Sequence, residues 1–286
     1  MKTWIPCAGK SGLRTSWPVA DHAPMRRKHG PLMFRLLVPG LLLLAASGGQ
    51  EAQEGSGTEL VLNNLFPIDP KAYLLGQFQP DTTTDFVLLP CKLTAGRTAY
   101  LRSEAAEALQ RMVQAARDAG IRLTVISATR TFKQQRAIWN SKFTGSRRSR
   151  GRNLAREYPD STERCRAILQ YSSAPGTSRH HWGTDVDFNS TDPAYWRTGS
   201  GLAALHWLGH NAHEYGFFMA YPPDRDYGHR YEPWHWSYQP LARPLLRDHY
   251  HRLVSDEDLD GFLGAELVRR LPWREWYVNG VSKALR

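Results

Sequence analysis

Two short clusters of histidine and carboxylate constrain this 286-residue chain more than any other feature. The first runs Ser178-Arg179-His180-His181-Trp182-Gly183-Thr184-Asp185-Val186-Asp187, and the second is Glu232-Pro233-Trp234-His235. A catalytic metal takes three protein ligands from His and carboxylate and keeps a further position open. The two clusters supply such ligands and one proton carrier, so a fold that uses them must bring distant segments to one place.

Spacing narrows the choice without closing it. His180 and Asp187 are too far apart for neighbouring turns of one helix. Their separation suits a loop residue and a strand residue joined by a turn at Gly183. Asp185 and Asp187 share one face of a strand, because side chains alternate with period two, so spacing leaves them tied as ligands. His180 and His181 are adjacent and must point apart if extended, so only one of them is expected to bind metal. Pro233 keeps Glu232 out of a helix, and a turn there brings Glu232 and His235 to one site. His235 is then the third ligand and Glu232 the general base.

The remaining chain predicts supporting elements. Residues 60–100, interrupted by Pro67, Pro70, Pro80 and Pro90, read as an irregular N-terminal arm with short strands such as Phe86 to Leu89. Ser103 is the expected N-cap of a helix that Gly120 closes, with Glu104 and Glu107 favoured by the dipole in its first turn and Leu109, Met112, Val113 and Ala116 at helical spacing. Ile121 to Ser127 reads as a buried strand, and Lys133 to Lys142 as a helix. Residues 144–160 read as a basic, solvated loop, and Thr162 to Tyr171 as a short helix. Thr184–Phe188, Phe217–Tyr221 and Trp234–Tyr238 read as strands, and Gly201–Tyr215 as a helix. The tail reads as helical in pieces at Leu241–Val254, Asp256–Leu263 and Ala265–Leu271. Helices and strands mix without a βαβ rhythm. The expected class is therefore α+β, a small antiparallel sheet carrying the site and flanked by helices. The expected divisions are a leader (1–49), a linker (50–59), the arm (60–100), a core (101–240) and a helical extension (241–286).

Residues 25–48 carry a basic start, a short apolar run from Leu36 to Ala46 and then small residues, the pattern of a secretory signal peptide. The run is too short to span a bilayer comfortably. Export to the periplasm is the expectation, with no stable membrane partner. The formal charge of +10 falls once the leader is removed: residues 1–49 hold seven basic and one acidic residue, leaving 30 and 26, a net of +4. That mild excess suits an acidic polymer, and no nucleic-acid motif accompanies the cluster at Arg147, Arg148, Arg150, Arg152 and Arg156. In an oxidising compartment Cys91 and Cys165 could pair. Neither has metal-ligand spacing. Eight of the ten tryptophans lie beyond residue 130, a density that suits a core or a carbohydrate- or peptide-binding cleft. Oligomeric state is not legible.

The pattern Ser-x-His-x-x-Gly-x-x-x-Asp followed by Glu-x-Trp-His resembles the D-alanyl-D-alanine carboxypeptidase family of zinc peptidases, the vancomycin-resistance type, over about residues 103–240. The resemblance implies that His180, Asp187 and His235 bind Zn2+ and that Glu232 is the catalytic base. It extends to Ser127-Ala128-Thr129-Arg130-Thr131, which implies that Arg130 binds the substrate carboxylate or the developing oxyanion, a task suited to its fixed charge and forked donors. Gln135 is an implied substrate contact, and Ser178 is implied to orient the substrate or the neighbouring ligand. One departure stands out: the family usually has Ala two residues before the aspartate ligand, where this chain has Asp185. A carboxylate there suggests a partner for a ligand histidine or altered substrate choice. The implied activity is hydrolysis of the terminal D-Ala-D-Ala bond of peptidoglycan stem peptides. The competing expectations are a peptidoglycan endopeptidase or L,D-carboxypeptidase with the same site, and a non-catalytic zinc-containing wall-binding module.

Overall fold

A computed structural model describes residues 65–286. The leader with its signal peptide, the linker and residues 60–64 of the arm lie outside the described residues. Asp69 accepts a hydrogen bond from the Ala72 amide (2.8 Å) and Pro70 follows it, so α1 (Pro70–Leu75) starts there. Strand β1 (Phe86–Leu88) pairs antiparallel with β2 (Tyr100–Arg102) across a short helix, α2 (Cys91–Thr94). Helix α3 (Ser103–Asp118) begins at Ser103 itself, with the cap at Arg102, one residue earlier than expected. It buries Ala105, Leu109, Met112, Val113 and Ala116 along one stripe.

Strand β3 (Val125–Ser127) is shorter than the expected Ile121–Ser127. Just before it, the Thr124 amide donates to the Asn189 side chain (2.7 Å) and the Asn189 amide to the Thr124 carbonyl (2.8 Å), so a side chain takes over part of the ladder. Thr131 and Gln134 form a reciprocal capping box that starts α4 (Phe132–Phe143). The basic loop contains α5 (Leu154–Glu157), capped by the Asn153 side chain, and α6 (Ser161–Leu169) follows. A 3-10 turn (Arg179–Trp182) ends at Gly183 and leads into β4 (Asp185–Phe188). Helix α7 (Gly199–Asn211), β5 (Phe217–Met219) and β6 (His235–Tyr238) complete the core.

Strands β3, β4, β6 and β5 form one antiparallel sheet in that order. The alternation in Asp185-Val186-Asp187-Phe188 and His235-Trp236-Ser237-Tyr238 gives it two unlike faces. Val186, Phe188, Trp236 and Phe217 pack with α3 and α7 residues in one apolar cluster. Asp185, Asp187, His235 and Ser237 are also buried, on the opposite face. A second cluster combines Tyr73, Leu74, Trp139, Ile168, Trp182, Tyr250 and Trp273, so the arm, α4, α6 and the tail share one core.

The tail differs from expectation in part. Helix α8 (Gln239–Pro244) runs on through a π-helical stretch, Leu245–Tyr250, and α9 (Ala265–Arg269) forms. Residues 256–263 are turns rather than the expected helix. Ser255 donates through its amide (2.7 Å) and hydroxyl (3.1 Å) to Asp258, and Gly261 has a positive φ of 75°. Local side-chain bonds of this kind compete with helix formation. Cys165 is a free thiol buried beside Gly264, so no bond joins it to Cys91. Burial pushes that thiol up to about 12.

Gly183 carries the connection between the 3-10 turn and β4. Its φ is +68°, and a Cβ there would lie 2.4 Å from a Phe86 ring carbon. Gly183→Ala should therefore destabilise the fold by about 2 kcal/mol or more, combining left-handed strain of roughly 1–2 kcal/mol with the clash. The urea unfolding midpoint measures this, and an unchanged midpoint would show that the turn relaxes freely.

Candidate metal and active site

The register of β4 against β6 sets Asp187 opposite His235 and Asp185 opposite Ser237. The 3-10 turn brings His180 over the same face. Its backbone is tied to the Arg130 segment, with the Arg130 amide donating to the His180 carbonyl (3.0 Å). His180 Nδ1 lies 2.7 Å from the Ala128 carbonyl, which can only accept, so Nδ1 carries the proton. His180 Nε2 is then a lone pair. It is buried without a hydrogen-bond partner, 3.5 Å from Asp187 Oδ2.

His235 is oriented the same way from the other side. Its Nε2 donates to Asp185 Oδ2 (2.9 Å), leaving Nδ1 facing Asp187 Oδ1 (3.5 Å) and Glu232 Oε2 (3.3 Å). Burial opposes charge on His235, but the bonds to Asp185 and Glu232 and the charge of Asp187 win and hold it up at about 9. The imidazole thus attracts a positive charge to Nδ1, whether proton or metal. Ligand atoms of His180, Asp187 and His235 all lie within 4.8 Å of one another, and among the described residues this is the group so arranged. Ligands held tetrahedrally at about 2.1 Å stand about 3.4 Å apart, close to the 3.5 Å separations of Asp187 from both histidines. Buried lone pairs converging at that distance repel one another unless a cation lies between them. The residues present fit a metal of the zinc class.

His181 points away. Its Nδ1 donates to the Arg130 carbonyl (2.7 Å) and its Nε2 accepts from the Gly176 amide (3.1 Å). Burial pushes it down to about 3, so it stays neutral and pins the loop. Asp185, which the sequence left unexplained, is the support beneath His235. It accepts from Thr184 (2.6 Å), Ser237 (2.7 Å), Arg179 Nε (3.0 Å) and His235. Burial would raise its pKa, but the charge of Arg179 and the bond to His235 hold it far below the usual carboxylate range. Arg179 is itself buried, donating to Ser237 (2.6 Å) and lying 4.9 Å from the Trp182 ring. Sequence reasoning missed Arg179. Its only signal was adjacency to His180, which does not reveal burial.

Glu232 stands beside the ligand cluster, buried, with its pKa raised by burial against the pull of His235. Arg130 forms part of the wall facing Asp187 and Glu232, its Nε without a hydrogen-bond partner. These residues line a cavity of about 680 Å³ that also includes Lys142, Arg147 and Trp234. A smaller recess of about 30 Å³ adjoins it, lined by Arg130, Ser173, Tyr221, His229 and Glu232. Tyr221, 4.8 Å from the His235 ring, was not singled out from the sequence, whereas His229, bonded to Ser173 (3.2 Å), is close enough in sequence to Glu232 for a non-ligand place in the cleft wall to be expected.

Gln135 and Ser178 line neither cavity. Gln135 is buried behind the wall, donating its amide to the Ser173 carbonyl (2.6 Å). Ser178 is buried at the start of the 3-10 turn, and its carbonyl accepts from the His181 amide (3.0 Å).

Residues 98–241, half of the chain, match the family described as D-alanyl-D-alanine carboxypeptidase, VanY. The chain belongs to this family. YodJ of Bacillus subtilis is 28% identical over 196 residues, 64% of this chain and 63% of that protein. A D-alanyl-D-alanine carboxypeptidase of Enterococcus faecalis is 32% identical over 132 residues, 46% of this chain and 45% of that protein. The chain therefore spans less than two thirds of the length of either curated relative. A zinc-bound variant of the vancomycin-resistance D,D-pentapeptidase VanY aligns over 60% of this chain and 94% of its own, at 26% identity and a TM-score of 0.42.

Replacing Asp185 by Asn should remove the charge that orients His235 and leave Arg179 buried without a counter-ion. Metal affinity should fall by about 10–100-fold, and stability by about 3–5 kcal/mol. Calorimetric titration with Zn2+ and urea unfolding measure the two effects, and unchanged affinity would show that Asp185 does not orient the ligand.

Proposed function

We propose that this protein is a zinc-dependent D-alanyl-D-alanine carboxypeptidase that removes the terminal D-Ala from peptidoglycan stem peptides, exported to the periplasm. The observation that carries this reading is the convergence of His180 Nε2, Asp187 and His235 Nδ1, with Asp187, His235 and Glu232 lining a cavity together with Arg130. His180, Asp187 and His235 would hold the zinc. Zinc, when bound, lowers the pKa of water and polarises the scissile carbonyl.

The side chains supply the rest. Glu232, its basicity raised by burial, takes a proton from the attacking water and returns it to the leaving amine nitrogen. Arg130 grips the terminal carboxylate or the carbonyl oxygen as negative charge develops there. Asp185 keeps the His235 ring in the tautomer that offers Nδ1. His181 and Gln135 fix the loops from behind. The signal-peptide pattern at residues 25–48 supports export, and no helix among the described residues is long and apolar enough to cross a membrane.

Glu232→Ala should retain one zinc per chain by elemental analysis while lowering kcat about 10²–10⁴-fold. Chelation should abolish turnover, and added Zn2+ should restore it. Digestion of purified muropeptides, followed by mass spectrometry, should show loss of a single terminal D-Ala. Cleavage within a cross-bridge, or release of D-Ala from tetrapeptides alone, would replace the reading with an endopeptidase or an L,D-carboxypeptidase. Full activity in Glu232→Ala would overturn the mechanism.

A further inference from the structure

The larger cavity carries more positive charge than the proposed reaction uses. Its wall holds Arg130, Lys142, Arg147, Arg148 and Arg150 against Asp187, Asp192 and Glu232. Two of those three carboxylates belong to the metal and base cluster, where a divalent ion would offset them. A peptide with one terminal carboxylate, held by Arg130, leaves Lys142, Arg147, Arg148 and Arg150 with a single further carboxylate, Asp192, in the wall.

Lys142 is the most telling of them. It lies on α4 one turn beyond Ile138, which faces the same cavity, and it is 8% exposed. Its ammonium donates to the neutral hydroxyl of Ser172, and no carboxylate among the described residues forms an ion pair with it. Burial, with the charges of Arg147 and Arg130, pushes it down to about 8. A buried ammonium without an anion costs several kcal/mol, a cost relieved when the cavity receives one. Arg147 faces the same cavity from the exposed loop. Arg150 fixes that loop to the wall. Its guanidinium donates to the Thr191 carbonyl (2.6 Å) and lies 4.5 Å and 4.9 Å from the Tyr171 and Trp234 rings.

We propose that Lys142 and Arg147 form a second anion subsite, which binds a side-chain carboxylate of the substrate on the acyl side of the scissile bond. The inference rests on the carboxypeptidase reading. Such an enzyme meets one residue beyond the scissile bond, and of the two roles proposed for Arg130 the inference takes the grip on that residue's carboxylate. Any further negative charge in the cleft must then come from the acyl side, and a cavity of about 680 Å³ has room for it. The favoured substrates are peptides whose residue before D-Ala-D-Ala ends in a free carboxylate, as a diamino dicarboxylic acid does, over peptides with a plain lysine or an amidated carboxyl there.

Two synthetic probes test this: N-acetyl-X-D-Ala-D-Ala with X either meso-diaminopimelate or L-lysine, which differ by one side-chain carboxylate. The zinc-loaded enzyme should show about tenfold or greater preference for the former in kcat/KM, chiefly through KM, as expected for a hydrogen-bonded charge pair. Lys142→Gln and Arg147→Gln should each bring the ratio of the two kcat/KM values towards one. Lys142→Gln removes a buried charge and Arg147→Gln alters an exposed loop, so neither should impair folding, as thermal melts will show. Binding is read separately by calorimetry of the zinc-loaded Glu232→Ala variant, which should display the same preference in Kd. Equal Kd values for the two peptides, or no binding of either, overturn the subsite whatever the turnover shows. Hydrolysis of neither probe by the wild type, with the binding preference intact, overturns the carboxypeptidase reading instead.

Discussion

The pairing of β4 with β6 is the constraint on which the site depends. Opposed residues in an antiparallel pair lie within about 5.5 Å of each other, so one register sets Asp187 beside His235 and Asp185 beside Ser237. A slip of β4 by one residue would turn Asp185 and Asp187 to the apolar side that Trp236 occupies, and Val186 and Phe188 out of their cluster. That cluster forbids the slip. The hydrophobic face of the sheet therefore enforces the chemistry of its polar face, and the stability of the α3 side of the molecule fixes the geometry of the other side.

The third residue of the candidate metal site, His180, comes from a 3-10 turn rather than the sheet, and it is the flanking segments that hold this turn. Trp182 donates to the Leu74 carbonyl (3.2 Å) and accepts, at its own carbonyl, from the Tyr73 hydroxyl. Tyr250 in the tail donates to the Gly176 carbonyl (2.7 Å). The arm and the tail thus brace the loop that delivers His180. A metal site is sensitive to displacements of a few tenths of an ångström, which gives these outlying segments a physical purpose.

What the sequence made legible was chemistry confined to short spans. Period two placed Asp185 and Asp187 on one face, and Gly183 marked the turn, because both are local consequences of backbone geometry. The tie between the two aspartates could not be broken locally. Asp187 differs from Asp185 by what lies across the ladder and above it, His180 in one case and Arg179 with Ser237 in the other. Those neighbours follow from register, and register follows from packing far along the chain. Lys142 was hidden for the same reason: on α4 it reads as an ordinary basic residue near a helix end. Residues 256–263 misled in the opposite direction, since their composition suits a helix while Ser255 and Asp258 bond locally.

The buried charges then divide by whether the fold neutralises them. Arg179 and Asp185 pair with each other and form a network through Thr184, Ser237 and His235. A pair of this kind contributes little net stability after desolvation but is costly to break, so its value lies in holding His235 in one tautomer. His180 Nε2, Asp187 Oδ1, Arg130 Nε and the Lys142 ammonium are not answered by the protein in this way. Arg130, Lys142 and Asp187 line one cavity, and His180 lies against Asp187. Polar groups left so within a buried wall are retained at a cost to folding, and the arrangement makes sense when a cation meets the first two and an anionic peptide the others.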